Sequence, residues 1–175
     1  GKEMMVGFNP QYLIDVLKGL DEKGVNFKYT IIGSGPREKE FFSMAKDFSI
    51  ISHIHHIKNV NYNRDIFEFY SLSDIYLSTS LYETFGLSVL ESMAYQCAPV
   101  AFRVGPLKEL LQHGVTGILV DVNDTESMVE NIVDLSKNKE ELETIKRAAS
   151  KYAKDFTWKR HVDVLAKTFE ECLHE

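Results

Sequence analysis

Two carboxylates, Glu83 and Glu91, stand eight positions apart, with Phe85-Gly86 between them at the expected start of a helix. Two helical turns span about 7.2 residues, so a residue in the loop and one two turns in can face the same side. A helix N-terminus offers unpaired backbone N–H groups and a partial positive charge, which suits a diphosphate. Gly86 lets the backbone approach a ligand closely. A carboxylate at the lip can accept hydrogen bonds from sugar hydroxyls, and a deeper one can grip a ribose diol, because an ionised carboxylate only accepts. The plainer alternative makes Glu83 a cap and Glu91 a solvated helix residue. On spacing alone that alternative has the better claim, since paired glutamates are common.

Other residues invite chemistry less strongly. His53, His55 and His56 suggest a metal, with strand alternation placing His53 and His55 on one face. No Cys or carboxylate lies nearby at a known ligand spacing, so no metal is expected. Gly33-Ser34-Gly35 follows a strand-like run but lacks the third glycine of a dinucleotide fingerprint. Arg103 and Lys108 read first as solvated surface charges. Tyr152, Phe156 and Trp158 read as a packing cluster.

The elements that must position these residues alternate in type. Lys2–Phe8 reads as a short first strand, and Asn9-Pro10 as a helix start, with Asn as cap and Pro at the first helical position. Tyr12, Leu13, Val16, Leu17 and Leu20 then recur at helical spacing up to Gly24. Strands are expected at Phe27–Ile32, within Ile51–Val60, and at Asp74–Ser78, Pro99–Phe102 and Gly117–Val120. Helices are expected at Arg37–Phe48, Asp65–Leu72, Phe85–Gln96 and Leu107–Gln112. Three more close the chain at Asp124–Leu135, Glu140–Lys154 and Thr157–Leu173. Such alternation predicts a single doubly wound, Rossmann-like α/β domain over residues 1–175, its mostly parallel sheet covered on both faces. In these sheets ligands sit at the carboxyl ends of the strands. The loops at Gly33–Pro36, Lys58–Asn61, Thr79–Gly86 and Phe102–Pro106 should therefore converge on one crevice.

The 175 residues are 44% hydrophobic and 26% charged, with a formal net charge of −6. That is globular composition. The acidic balance argues against nucleic-acid binding, which needs clustered Lys and Arg. Cys97 and Cys172 make no disulfide framework, which points to a reduced cytoplasmic setting. No apolar run approaches the roughly 18 residues needed to span a bilayer.

Six segments together resemble the group 1 glycosyltransferases (family 4), retaining enzymes of the two-domain GT-B fold. Leu81-Tyr82-Glu83-Thr84-Phe85-Gly86-Leu87-Ser88-Val89-Leu90-Glu91-Ser92-Met93-Ala94 is similar to the family signature, whose two glutamates enclose seven residues. Ile31-Ile32-Gly33-Ser34-Gly35-Pro36 resembles its strand ending in Gly-x-Gly-Pro, and Tyr70–Leu77 its Tyr-x-x-Ala-Asp strand. Ala98–Ala101, His113–Val120 and Phe156-Thr157-Trp158 match later stretches, in the same order. The resemblance implies one half of a GT-B architecture: a C-terminal donor-binding domain whose N-terminal acceptor domain is absent from this chain. It implies a nucleotide diphosphate sugar as donor, UDP-, GDP- or ADP-linked, with no tightly held metal and no cofactor. Glu83 would contact the transferred sugar and stabilise developing positive charge, making it the catalytic residue. Glu91 would bind the ribose. Backbone N–H groups of Phe85, Gly86 and Leu87, beside Thr84, would cradle sugar and diphosphate. Lys58, Asn59 and Val60 would meet the base, and Gly33 and Ser34 would line the phosphate side.

The match departs from the family at several positions. The Arg and Lys that grip the diphosphate after the first strand are not both present. Phe8 stands at the Arg position in one alignment, and Lys2 is the only candidate cation in the other. Pro106 replaces the second Gly of a Gly-Gly pair and has no N–H to give. Gln96 occupies a usual Gly, and so does Asn59, a residue type that tolerates left-handed geometry. The leading expectation is retaining transfer of a sugar to an acceptor saccharide or lipid-linked saccharide, in polysaccharide or glycolipid synthesis. The full-length protein would work in the cytoplasm, at or near the inner face of the membrane, with peripheral membrane association. The isolated domain is expected to be inactive. A non-catalytic nucleotide-sugar-binding or scaffold domain is the alternative, and an epimerase or phosphorylase of the same fold stands third.

Overall fold

Asn9 caps the first helix as its residue type requires, its side chain accepting a hydrogen bond from the Gln11 N–H at 3.0 Å. Pro10 takes the first helical position of α1 (Pro10–Glu22), which buries Leu13, Ile14, Val16, Leu17 and Leu20 along one stripe. The computed structural model describes residues 9–60 and 65–173. After α1 come β1 (Tyr29–Ile32), α2 (Glu38–Asp47), a 3-10 turn (Ile51–His53), β2 (Ile54–Ile57), α3 (Ile66–Ser71) and β3 (Ile75–Ser78). They are followed by α4 (Leu87–Ala94), β4 (Ala98–Phe102), α5 (Leu107–Leu110), β5 (Ile118–Val120), α6 (Thr125–Lys137), α7 (Lys139–Ala153) and α8 (Trp158–Leu173).

Every described strand pairing is parallel. Tyr29 lies opposite Ile54 in the β1–β2 ladder. Ile75 lies opposite Ala98 in β3–β4, and Val100 opposite Ile118 in β4–β5. The Rossmann-like α/β class is therefore as expected, but the described strands form two ladders, β1–β2 and β3–β4–β5, rather than one. The expected first strand, at Lys2–Phe8, lies outside the described residues, and so does any pairing it makes. The two ladders still share packing, since Leu77 of β3 touches both large apolar clusters. All five residues of β4 are buried, as expected for a strand flanked on both edges and covered on both faces.

Two expectations need correction. The strand expected within Ile51–Val60 is present as β2, but His53 is not part of it, because Ile51–His53 form the 3-10 turn and pairing starts at Ile54. The His53 ring explains this. It stacks on Phe27 with centroids 4.5 Å apart, and its nitrogens lie 3.0 Å from Asp21 Oδ1 and 3.2 Å from the Phe27 carbonyl. Those contacts hold the segment against the end of α1, so His53 and His55 do not share a strand face. Tyr152 and Phe156 do meet, at 5.2 Å, but Trp158 is 83% exposed and joins no packed cluster. It opens α8, in which no residue is buried.

Candidate functional site

Parallel strands deliver their carboxyl ends to one edge, and the expected site residues leave the strands there. They fall into two groups. The first follows β3 and contains Glu83, Thr84, Phe85, Gly86, Leu87 and, one helix in, Glu91. The second follows β1 and β2 and contains Gly33, Ser34, Lys58, Asn59 and Val60. One apolar cluster joins them. Its buried members are Ile66, Tyr70 and Cys97, and Ile32, Val60, Phe67 and Tyr76 pack against it. Ile32 and Val60 belong to the second group's strand ends, while Tyr70 and Tyr76 face the glutamates of the first.

The N-terminus of α4 is built by glycine. Gly86 caps the helix in left-handed geometry, φ 86 and ψ 40, and no side chain caps it. A Cβ there would stand 2.5 Å from Leu107 Cδ2, so a larger residue would have to displace that side chain as well as adopt the left-handed geometry. Gly105 is also close to a neighbour, since a Cβ on it would lie 2.9 Å from the Glu83 carbonyl oxygen. The loop after β4 thus presses on the backbone that carries Glu83. Gly86 is buried beneath this contact, while Thr84, Phe85 and Leu87 are exposed around it.

Neither glutamate fits the plainer alternative. The cap is Gly86 and not Glu83, and both carboxylate-bearing residues are half-buried. Tyr76 brings them together. Burial above all pushes its phenol up to about 12, a hydrogen bond with Ser88 opposes the shift, and the nearby Glu83 and Glu91 carboxylates add to it. One phenol thus feels both carboxylates across the start of α4. The Tyr70 hydroxyl donates to Glu91 Oε2 at 3.4 Å, and the Tyr70 ring meets Tyr76 edge-on at 5.7 Å. Spacing alone did not single out Tyr70 and Tyr76 as parts of the site. Their signal was a tyrosine on a helix and another on the next strand; in the fold Tyr70 is buried and Tyr76 half-buried, each with a polar tip that needs a partner.

In the second group, Gly33 has φ +110, and among the described residues no atom beyond its chain neighbours lies within 4 Å of where its Cβ would stand. Its N–H donates to the Ile57 carbonyl at 2.8 Å, and His56 Nε2 lies 2.7 Å from its carbonyl oxygen. Lys58 pairs with Glu38 of α2 at 3.1 Å. Ser34 and Asn59 are exposed and Val60 is half-buried. Left-handed geometry, expected to suit Asn59, falls instead on Gln96, at φ 57, while Asn59 has no positive φ. Pro106 caps α5 with φ −69. Arg103 is exposed and lies 3.4 Å from Asp121, and Lys108 is exposed. Lys2 and Phe8, the positions bearing on the missing cation pair, lie outside the described residues. Among the described residues no group of three or more His, Cys, Asp or Glu is placed to hold a metal ion. None of their helices is long and apolar enough to cross a membrane.

Comparison with known proteins bears on the family and the fold. The chain is 27% identical over 167 residues to an uncharacterized glycosyltransferase of Methanocaldococcus jannaschii, covering 94% of this chain and 46% of that protein. It is 34% identical over 132 residues to an uncharacterized glycosyltransferase of Haemophilus influenzae, covering 75% of this chain and 36% of that one. The chain thus spans less than half the length of these relatives. Among solved structures, Anabaena HepE in complex with UDP superposes with a TM-score of 0.85 at 20% identity, over 97% of this chain and 47% of that one. The C-terminal domain of a group 1 glycosyl transferase family protein from Francisella tularensis superposes with a TM-score of 0.75 at 23% identity, over 83% of this chain and 77% of that one. Residues 8–152 match the family described as Glycosyl transferases group 1, and with that match across most of its length the chain belongs to this family.

Proposed function

We propose that this domain holds a nucleotide diphosphate sugar at the start of α4 and, as part of a longer protein, presents it for transfer with retention of configuration. One observation carries the reading: the half-buried Glu83 and Glu91 flank a helix N-terminus that no side chain caps. In this reading Glu83 contacts the transferred sugar and stabilises positive charge developing at its anomeric carbon. Glu91, oriented by Tyr70, accepts from the ribose hydroxyls. The N–H groups at Phe85, Gly86 and Leu87, with Thr84 beside them, face the sugar and diphosphate, where the helix end offsets negative charge on the leaving group. Gly33 and Ser34 line the phosphate side, and Lys58, Asn59 and Val60 meet the base. The acceptor, a saccharide or lipid-linked saccharide, is held by an N-terminal domain, in polysaccharide or glycolipid synthesis at the cytoplasmic face of the membrane. No metal or cofactor takes part.

Anabaena HepE and S. aureus TarM each have a structure with UDP, so UDP is the first nucleotide to try. The test is calorimetry of this chain and Glu91→Ala against UDP, GDP and ADP. One nucleotide should bind the wild type, and Glu91→Ala should weaken that binding by about tenfold, the size of one lost charge-assisted hydrogen bond. Absence of binding by all three at millimolar concentration would sink the donor-site reading. A second reading, a non-catalytic nucleotide-sugar-binding or scaffold domain, draws on Pro106, which brings no N–H to the crevice at the start of α5. A full-length protein that shows no sugar transfer, and whose biological activity is unchanged by Glu83→Ala, would favour it.

A further inference from the structure

His56 has no role in the reading above, yet it bonds directly to the loop on which that reading depends. It is the third residue of β2, opposite Ile31 of β1, and the glycine loop begins two residues beyond Ile31. Its side chain is only 14% exposed, and its ring packs against Phe42 of α2 at 4.9 Å. Nε2 lies 2.7 Å from the Gly33 carbonyl oxygen. A carbonyl only accepts, so Nε2 carries the proton and donates. Nδ1 faces Glu38 Oε1 at 4.0 Å, and the same oxygen holds Lys58 Nζ at 3.1 Å. Glu38 and Lys58 are the charged groups around the ring.

The hydrogen bond has a geometric consequence. No described peptide bond is cis. In a trans peptide the C=O of one residue and the N–H of the next point in opposite directions across a rigid plane. Holding the Gly33 carbonyl toward His56 therefore turns the Ser34 N–H away from it, toward the open side of the loop. Among the described residues the loop is uncrowded: beyond the chain neighbours no atom lies within 4 Å of the space where a Gly33 Cβ would stand. The Ser34 N–H has no protein acceptor among the described residues. We infer that His56 is a positioning residue: by fixing the Gly33–Ser34 peptide plane it aims the Ser34 N–H at the phosphate side of the bound nucleotide. The inference rests on the proposed donor site, and His56 itself touches no ligand.

The experiment follows the Ser34 amide by 15N NMR while UDP is titrated into wild type, His56→Leu, His56→Gln and Glu91→Ala. In the wild type the Ser34 amide should shift with UDP. His56→Leu, which keeps bulk and loses the donor, should move that amide before ligand is added and weaken UDP about tenfold. His56→Gln, whose amide nitrogen donates from a similar reach, should restore both, a rescue that a merely space-filling ring would not need. Should His56→Leu fail to fold, His56→Gln against His56→Asn makes the same comparison, because the shorter amide falls short of Gly33. Unchanged Ser34 and unchanged UDP affinity in the donor-less variant, while Glu91→Ala weakens binding, would overturn the inference and leave the donor site standing. No response to UDP in the wild type would remove the donor site and the inference with it.

Discussion

Cys97 shows how strongly the interior acts on single groups here. It is buried against Ile66 and Tyr70. Burial pushes its thiol up to about 12, with the Lys146 ammonium opposing and the Asp74 carboxylate adding to the shift. The thiolate is the nucleophile, so a thiol held that high stays inert at neutral pH. Cys172 is exposed. A disulfide reagent at pH 8 should therefore release one equivalent quickly, lost in Cys172→Ser, and the second only on unfolding. Two equal fast phases would contradict the burial of Cys97. The residues that carry the site were legible in the sequence to different degrees. Glu83, Gly86 and Glu91 could be proposed because they lie in one local run, Leu81–Ala94, that resembles the family signature, whereas their spacing alone favoured ordinary cap and surface roles. Tyr76, which brings the two glutamates into one field, could not, because its relation to Ser88 and Glu91 exists only once β3 and α4 have packed. His56 was legible as a histidine and was weighed only for a metal, which its neighbours did not support. What defines it is a bond to Gly33, far off in the chain and adjacent only across a parallel ladder.

Elements were legible where their ends carry their own chemistry. Asn9-Pro10 fixed the start of α1 because cap and first-turn preferences act within a few residues. The end of α4 is the opposite case. Gln96 sits at φ 57 just past the helix. The Gln96 N–H donates to the Met93 carbonyl at 3.1 Å, and the Cys97 N–H to the Ser92 carbonyl at 2.9 Å. That is the paired closure normally made with a left-handed glycine. Glutamine adopts the conformation at a cost, held there because Cys97 and β4 beyond it are buried. Gln96 is itself exposed, so Gln96→Gly removes strain without removing packing. It should stabilise the domain by about 1 kcal/mol, read as a higher midpoint in urea with an unchanged slope. A lower midpoint would mean that the loss of chain stiffness in the unfolded state outweighs the relief. The glycine expected at this position from the family pattern was thus absent from the sequence but present in the geometry.

At the scale of the whole molecule, the packed body ends at α7, whose last residue, Ala153, is buried in the main core. Beyond it α8 carries Trp158, Val162, Leu165, Phe169 and Leu173 at helical spacing, all exposed, with Trp158 and Leu173 each 83% so. Sequence periodicity predicted this helix correctly but could not say whether its apolar stripe meets anything in the chain, because a stripe looks the same whether covered or bare. A helix of this length without tertiary packing is marginal in water. Deleting residues 158–175 should lower far-UV helicity while leaving the thermal midpoint of the remaining domain within about 1 °C of the parent, by the usual scaling of midpoint with stability. A clear fall in the midpoint would show that α8 packs on the domain after all.

The parallel ladders also bear on how quickly such a chain reaches its native state. Tyr29 must find Ile54, Ile75 must find Ala98, and Val100 must find Ile118, and in each case an entire helix and its loops lie between the partners. No pair can zip from a tight turn, so each ladder requires a closed crossover first and loses that chain entropy before any strand contact repays it. Helices such as α6 and α7, whose bonds are local, can form before the sheet. The slow step of folding is then the formation of these ladders, and β1–β2, whose partners Tyr29 and Ile54 lie farthest apart in the chain, closes the longest detour.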